Sequence, residues 1–295
     1  MMNMPEASTF NDPSYIISTD DAAKRILSDV VPNDQAGATL LDIAKDVADH
    51  YSFVDHQTYP RPGHTLTRKR LPPEFTFVSI IISLRCTLST EQVVTDRLIA
   101  ETNGNVDALK QLDIDTIREI IRPSGMSKQK SIWITNGLDQ FNNNLDYHMD
   151  KLYRSCLEDA RNRLLKLSGM GAKATDCFLL LGLNRPSFPV DVNVFKLISR
   201  LFPEQITSDT GVVPDFSKKL HANAAKYLLE RSFTRDTKAY QVLHTYLLNT
   251  ALLVLWCARI EALGRVAELV DAADLKSADS NIVRVQVPPR PPDII

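Results

Sequence analysis

The apolar positions along the 295-residue chain recur mainly with the period of an α-helix. Segments that alternate with the two-residue period of a half-buried strand do not rise above background. The sequence therefore predicts an all-α fold. The predicted helices cover residues 34–51, 75–86, 89–102, 106–112, 114–122, 128–142, 152–167, 172–183, 191–202, 216–232 and 236–257.

The segments outside these helices are polar or rich in proline. Residues 1–33 carry Pro and Asp signals and are expected to form a flexible N-terminal segment, and residues 56–73 a basic connection. The N-terminus lacks the basic start and apolar run of a signal peptide, so an intracellular location, in the cytoplasm or with the DNA, is expected. The most apolar run, residues 251–258, is too short to cross a bilayer, and no membrane partner is predicted.

A turn with two glycines separates two helical patterns in the segment LLKLSGMGAKATDCFLLL. Gly169 and Gly171 permit a sharp turn, which predicts a helix-hairpin-helix. The N–H groups at the start of the second helix would favour a bound anion such as a DNA phosphate. An ordinary αα-turn, in which the glycines only cap one helix and admit the next, is the alternative.

The charge distribution favours a local binding surface. The net charge is −2, and the 44% hydrophobic and 24% charged content is ordinary for a globular protein. A general affinity for polyanions is therefore not expected. Basic groups that could bind phosphate, or that are simply solvated, are Arg68 with Lys69 and Arg70, Lys128 with Lys130, and the hairpin cluster Arg161, Arg163, Lys166 and Lys173.

Lys173 opens the second helix of the hairpin, and Asp191 follows eighteen residues later, after Pro189. An amine that has lost its proton is a nucleophile, and a carboxylate at a helix start remains ionised. The pair could therefore carry out nucleophilic chemistry. Each residue also has an ordinary explanation, because Lys173 could be a solvated surface lysine and Asp191 an N-cap.

The sequence LSGMGAK, followed by FPVDVNVFKLISRLF, resembles the helix-hairpin-helix-GPD superfamily of DNA glycosylases, in its endonuclease III-like branch. FTFVSIIISLRCT and IREIIRPSGMSKQKSIWI extend the resemblance to about residues 72–248. The resemblance implies a two-lobed helical fold with a DNA cleft. Residues 34–73 and 188–257 would form one lobe, and residues 74–187, with the hairpin, the other.

The resemblance also assigns roles to individual residues. Lys173 would attack the sugar C1′ and displace the base, while Asp191 would deprotonate the lysine and stabilise positive charge on the sugar. β-Elimination would then nick the strand. The expected DNA contacts come from Gly169, Gly171, Arg85, Arg163 and Lys166.

Three residues depart from the family pattern. Ser168 replaces the usual hairpin proline, and Val192 replaces the threonine that usually follows the aspartate. Arg85 stands where a glutamine commonly fills the space left by the extruded base. It is either a wedge that stacks on bases or a surface arginine at a helix end. The last two departures bear on substrate choice more than on the chemistry.

The cysteines do not follow the family's C-x6-C-x2-C-x5-C spacing, which holds a 4Fe–4S cluster. Cys86, Cys156, Cys177 and Cys257 are scattered, so no iron–sulfur cofactor and no metal site is predicted. From about Gly264 the chain resembles the conceptual translation of a transfer-RNA gene. Residues 258–295 are therefore expected to be a disordered or read-through tail, or else a genuine short helix with a proline-rich extension.

These inferences predict a bifunctional DNA glycosylase with AP-lyase activity that removes damaged or mismatched bases, expected to be pyrimidines. Its partner would be double-stranded DNA containing such a base, and the protein is expected to be a monomer. The alternatives are a catalytically inactive helical DNA-binding protein and a monofunctional glycosylase. His244 is expected to be a packing or capping histidine, because no second metal ligand stands at suitable spacing.

Overall fold

The computed structural model describes residues 17, 19–50, 72–210 and 219–251. Within these ranges the fold is all-α, as predicted, and the only β-type pairing is an isolated bridge between Pro32 and Phe233. The helices are α1 (Asp20–Asp29), α2 (Gln35–His50), α3 (Pro73–Ser83), α4 (Leu88–Glu101), α5 (Val106–Gln111), α6 (Ile114–Ile121), α7 (Ser127–Asn143), α8 (Met149–Arg154), α9 (Leu157–Leu164), α10 (Ala172–Cys177), α11 (Val192–Leu201), α12 (Pro203–Thr210), α13 (Lys219–Ser232) and α14 (237–251).

Helices α3 to α10 enclose one hydrophobic core and form what we call the hairpin lobe. At its centre the rings of Phe77, Phe141 and Phe178 lie within 4.9–6.1 Å of one another, centroid to centroid. A Cβ atom at Gly137 would overlap the Phe77 ring, so glycine permits α7 to pack closely on α3. These aromatic contacts join α3, α7 and the turn after α10, so one core unites the first and last elements of this lobe.

Helices α1, α2 and α11 to α14 enclose a second core and form the terminal lobe. Its buried side chains come from both ends of the described chain, as Leu40 and Tyr240 illustrate. The backbone N–H of Asn33 donates to the Ser232 carbonyl at 2.8 Å. A Cβ atom at Gly37 would collide with that same carbonyl oxygen, so α2 packs directly against the end of α13.

A single π-helical turn, Phe178–Gly182, continues α10 and contributes to both cores. Its wider hydrogen-bonding pattern is seen in the bond from the Leu183 N–H to the Phe178 carbonyl, at 3.0 Å. Phe178 and Leu179 pack into the hairpin lobe, whereas Leu180 packs into the terminal lobe. The hairpin helix is therefore anchored in both lobes.

The expected flexible segment, residues 1–33, needs correcting, because α1 occupies Asp20–Asp29. Thr19 caps this helix by accepting a hydrogen bond from the Ala22 N–H at 3.1 Å. Ala23 and Leu27, one turn apart, are buried in the terminal lobe. The Thr-Asp-Asp sequence that suggested disorder is an N-cap followed by an acidic first turn. Residues 1–16 lie outside the described residues.

The single helix predicted over residues 152–167 is also corrected, because Ser155 and Cys156 are extended and separate α8 from α9. Arg185 explains the break. Its Nη1 donates to the Leu152 carbonyl and its Nη2 to the Ser155 carbonyl, both at 2.7 Å. Arg185, thirty residues beyond Ser155, thus binds two carbonyl groups that would accept helical hydrogen bonds if α8 and α9 were continuous.

One described helix was not predicted, and one predicted segment lies outside the described residues. Helix α12 occupies Pro203–Thr210, where no helix was predicted. The predicted tail, residues 258–295, lies outside the described residues. Among the helices that are described, none combines the length and apolar character needed to span a membrane.

Candidate active site

Different structural constraints explain the two glycines of the hairpin turn. Gly169 has a φ angle of +84°, and a Cβ atom there would lie 2.9 Å from the Trp133 ring and 3.0 Å from Ile81. Both the backbone conformation and the packing therefore require glycine. Gly171 has an ordinary φ of −76°, and a Cβ atom there would meet open space. Internal packing does not explain Gly171, whereas close approach of an external group to the backbone would.

Gly171 is the N-cap of α10, and the first-turn N–H groups of this helix receive no side-chain cap. The helical hydrogen bonds begin with the Thr175 N–H, which donates to the Gly171 carbonyl at 2.9 Å. Met170 is buried and anchors the turn in the hairpin lobe. The turn thus presents uncapped donors at the positive end of a helix, a feature suited to binding an anion.

Lys173 is half-buried in the first turn of α10 and lines a small pocket between the lobes. It makes no ion pair or hydrogen bond with a described residue. The pocket wall is mostly apolar. Its polar members are Ser79, Ser83, Glu91, Lys173 and His244.

Asp191 is the N-cap of α11. Its Oδ1 accepts hydrogen bonds from the Asn193 and Val194 N–H groups, each at 2.8 Å. The capping role considered from the sequence is therefore present. It does not exclude a chemical role, because Oδ2 accepts no hydrogen bond within the described part of the chain. One oxygen fixes the carboxylate, and the other is available to a substrate.

His244 of α14 lies close to both residues of the predicted catalytic pair. Burial lowers its pKa to about 4; the Asp191 carboxylate opposes this shift, and the Lys173 ammonium adds to it. The ring is 1% exposed and also lines the Lys173 pocket. The structure thus brings Lys173 and Asp191, eighteen residues apart, to one buried imidazole.

A buried polar network connects the two lobes beside this site. Asp176, one turn beyond Lys173, accepts from Arg161 Nε at 2.8 Å and from the Ser187 hydroxyl at 2.7 Å. The hydrogen bond with Asp176 raises the pKa of Arg161. Lys226 Nζ of α13 lies 3.4 Å from the same Asp176 oxygen. The carboxylate therefore links the hairpin helix to the terminal lobe.

The same network holds the segment that leads to Asp191. Lys226 donates to the Ser187 hydroxyl at 2.9 Å and to Glu230 Oε1 at 2.5 Å. Glu230 Oε1 also accepts from the Phe188 N–H at 3.0 Å. We call Arg161, Asp176, Ser187, Lys226 and Glu230 the interlobe network. Its bonds restrain the chain three residues before Asp191.

The predicted basic contacts are not equivalent. Lys166 and Lys128 are exposed, so they remain accessible to an anion. Arg163 is paired with Asp146, Nη1 to Oδ1 at 2.7 Å, so its geometry adds no support for a phosphate contact. Lys130 is fully buried and donates to the Ile82 and Ser124 carbonyls, both at 2.8 Å, so its assignment to a basic surface is wrong. The basic residues 68–70 lie outside the described residues.

Arg85 is exposed at the tip of the loop between α3 and α4. Its φ angle is +52°, in the left-handed region that non-glycine residues rarely adopt. It makes no ion pair with a described residue. A strained exposed residue beside a pocket is a frequent property of functional loops. The wedge role remains a prediction that this geometry supports.

The described cysteines do not fit a four-thiolate cluster. Cys86 follows α3, Cys156 caps α9 and Cys177 ends α10. In the described ranges, no three His, Cys, Asp or Glu side chains gather to hold a metal ion. Cys257 lies outside these ranges. The absence of an iron–sulfur cofactor stays a prediction.

Sequence reasoning missed the interlobe network and the position of His244. The interlobe network was hidden because its members are spread over residues 161–230 and none carries a motif. One indication that His244 has a special position is present in the sequence, because it is a polar residue within a long apolar helix. A polar position on an otherwise buried helix is a reason to look for a partner.

Comparison with known proteins relates this site to a repair family. Residues 78–222 match the family model described as HhH-GPD superfamily base excision DNA repair protein. The chain is similar to Endonuclease III of Sulfolobus acidocaldarius, with 30% identity over 132 residues, which cover 42% of this chain and 56% of the relative. It is also similar to a probable N-glycosylase/DNA lyase of Methanothermobacter thermautotrophicus, with 36% identity over 72 residues, or 24% and 23% of the two chains.

The matched segments thus span less than two thirds of either relative. Among solved structures, the fold is similar to that of the Clostridium acetobutylicum 8-oxoguanine glycosylase/lyase in complex with double-stranded DNA. The TM-score is 0.52 at 16% identity, over 84% of this chain and 76% of that one. At this identity the likeness concerns the fold alone.

Proposed function

Because the chain belongs to the HhH-GPD superfamily of base excision DNA repair proteins, we propose that it is a bifunctional DNA glycosylase and AP lyase. Its substrate would be double-stranded DNA that contains a damaged or mismatched pyrimidine. The observation that carries the proposal is the approach of Lys173, in the hairpin, and Asp191, at a helix start, to the same buried imidazole.

The proposed reaction starts with extrusion of the target nucleotide, because C1′ is inaccessible within the duplex stack. The hairpin turn would hold a phosphate on its uncapped N–H groups, with Gly171 leaving room for close approach. Arg85 would enter the vacated space, where a guanidinium can stack on the neighbouring bases. These contacts position the strand without reading its sequence.

The chemistry then uses one amine and one carboxylate. Asp191 accepts a proton from the Lys173 ammonium, and the free amine attacks C1′. The bond between C1′ and the base breaks, its electron pair leaves with the base, and the base takes up the proton that Asp191 had accepted, which returns Asp191 to its carboxylate form. Asp191 stabilises the positive charge that develops on the sugar.

The lyase step follows from the covalent bond to Lys173. Opening of the sugar ring between C1′ and O4′ gives a Schiff base. Loss of a proton from C2′ then expels the 3′ phosphate, and water releases the lysine from the sugar fragment. A monofunctional glycosylase would use water in place of the lysine and would form no such adduct.

Borohydride reduction tests the proposal, because it traps a Schiff base as a stable adduct. We expect the protein to be trapped on abasic duplex DNA and Lys173→Gln to abolish trapping. Lys151→Gln, which changes an exposed lysine of α8 in the same lobe that is not an expected DNA contact, is the matched control and should be trapped as efficiently as the wild type. DNA binding without any adduct would instead support an inactive DNA-binding protein, and base release without an adduct a monofunctional enzyme.

The pyrimidine preference needs a separate measurement. Duplexes carrying thymine glycol, uracil, a G·T mismatch, 5-methylcytosine or 8-oxoguanine would be compared under single-turnover conditions. We expect the fastest excision among the pyrimidine substrates. Fastest excision of 8-oxoguanine would contradict the pyrimidine assignment while leaving the lyase assignment intact.

A further inference from the structure

His244 occupies the junction of α14, the hairpin helix and the segment that carries Asp191. Its side chain is 1% exposed, and its ring meets the Phe188 ring edge to face, with centroids 5.8 Å apart. It also forms part of the wall of the Lys173 pocket. A polar side chain in this position is costly unless its ring nitrogens serve a purpose.

The two ring nitrogens are not equivalent. Nδ1 is buried and has no hydrogen-bond partner in the described structure. The carbonyl of Pro189, two residues before Asp191, acts on the ring from the side of the Asp191 segment and partly opposes the lowering of its pKa by burial. A neutral imidazole with its proton on Nε2 has a lone pair on Nδ1. His244 therefore combines an edge-to-face contact with Phe188, in the segment that leads to Asp191, with a buried nitrogen that has no partner in the described structure.

We propose that His244 is a positioning residue for the Lys173–Asp191 pair: it holds the segment that leads to Asp191 through the Phe188 ring and orients the Lys173 amine through the Nδ1 lone pair. This inference rests on the proposed function. A neutral ring suits the role, because an imidazolium would compete with Lys173 for the charge of Asp191. The neutral form also leaves an acceptor toward which a lysine N–H can turn.

Nitrogen-15 NMR of the full chain, labelled at histidine, tests the geometry without any assay of activity. We expect the His244 resonances to show protonation at Nε2 and no titration between pH 7 and pH 5. Lys173→Gln and Asp191→Asn should each shift the Nδ1 resonance. A proton on Nδ1, an imidazolium above pH 6, or insensitivity to both substitutions would overturn the proposal.

Two substitutions then separate positioning from packing. His244→Phe keeps a ring against Phe188 but removes both nitrogens, whereas His244→Asn restores an amide oxygen that can accept from the Lys173 amine. His148→Phe is the control, because it changes a histidine of the hairpin lobe whose ring is hydrogen-bonded to the Asn142 carbonyl. Adduct formation on abasic DNA is measured under single-turnover conditions, together with the Kd for the same duplex and the cooperativity of unfolding.

We expect folded His244→Phe to bind abasic DNA like the wild type and to form the adduct up to about 100-fold more slowly, the loss that a misplaced reacting group produces. His244→Asn should recover part of the rate. An unchanged rate in His244→Phe, or a rate loss matched by weaker DNA binding, would show a purely structural histidine. Should the wild type form no adduct, the proposed function fails, and the NMR result alone decides the role of His244.

Discussion

The hairpin lobe and the terminal lobe are both helical, but they are assembled differently. The hairpin lobe is built from one continuous stretch of the chain, residues 72–183. The terminal lobe joins residues 17–50 to residues 188–251, and the Asn33 side chain donates to a carbonyl 198 positions away. The proposed nucleophile Lys173 lies in the local lobe, whereas Asp191 lies in the lobe that depends on distant contacts.

Because of this division, neither lobe contains both residues of the proposed catalytic pair. Lys173 is fixed by a turn whose geometry is local, through Gly169 and Met170. The place of Asp191 depends on long-range contacts through the interlobe network and His244. The contact between the lobes is therefore as important for the proposed chemistry as the two residues themselves.

The largest loss of activity is expected from removing the negative charge that the terminal lobe contributes to the proposed site. Asp191→Asn keeps a side-chain oxygen that can cap α11, because asparagine is a good N-cap. We expect the fold to be retained and base excision to fall by about 10²- to 10⁴-fold, as for loss of a general base. Single-turnover excision and thermal unfolding would be measured together.

Asp113 provides the control for this substitution. It caps α6 through the same kind of geometry, with Oδ1 accepting from the Asp115 and Thr116 N–H groups at 3.0 and 2.9 Å. Asp113→Asn should leave excision unchanged. Undiminished excision by Asp191→Asn would show that this carboxylate serves only as a cap.

The next test breaks the contact between the lobes. Asp176→Asn leaves Arg161 and Lys226 facing a neutral group at a buried position, and we expect a loss of about 3 kcal/mol in the free energy of unfolding. Urea unfolding would measure this loss. Asp146→Asn, which removes the exposed partner of Arg163, should cost less than about 1 kcal/mol. Equal effects would mean that the interlobe network is no more important than a surface pair.

Sequence patterns and structure agree best in the hairpin lobe for a physical reason. Helices α3 to α7 come from one continuous stretch of the chain, and their apolar residues recur with the spacing of a helix, so local periodicity contains most of the information. The terminal lobe was harder, because α1 is short and polar and shows its purpose only when packed on distant residues. The break at Ser155 also depends on a distant side chain, Arg185.

The candidate site shows the same contrast between features that local sequence determines and features that depend on distant residues. The hairpin glycines, Lys173 and Asp191 were recognised from local motifs. The buried position of Lys130 and the pairing of Arg163 with Asp146 were not, because a sequence records charge but not the partner that satisfies it. For the same reason the interlobe network had to be found in the structure.

Stability is expected to depend on pH through the terminal lobe, because His244 belongs to this lobe and is buried in its uncharged form. Its pKa is about 4 in the folded protein and about 6.5 when unfolded. Between these values the unfolded state binds more protons, so stability present above pH 6.5 is lost as the pH falls toward 4. The loss should reach about 3 kcal/mol at most.

Urea unfolding at pH 7 and pH 4.5 would measure this contribution in the wild type and in His244→Phe. The variant should lose less stability between the two pH values than the wild type. The same decrease in both proteins would assign the acid sensitivity to other groups.

The smallest predicted effects separate the two hairpin glycines. Gly169→Ala must adopt a positive φ and press on Trp133, so we expect a loss of about 2 kcal/mol in stability. Gly171→Ala meets open space at a normal φ and should raise stability by about 0.5 kcal/mol. Its methyl group would nevertheless obstruct a phosphate, so DNA affinity should fall several-fold. Unfolding and fluorescence-anisotropy titrations would test both substitutions, and unchanged affinity in Gly171→Ala would remove the phosphate assignment.

The discontinuous terminal lobe has a consequence for how the protein is made. During synthesis the apolar core of the hairpin lobe can form as soon as residues 72–183 have left the ribosome, since the described apolar residues of that core all lie within this range. Asp191 gains its surroundings only when α13 and α14 have emerged and packed against α1 and α2. A nascent chain would thus present its lysine early and without the aspartate, and the proposed strand-cleaving activity would begin only with the last described helix.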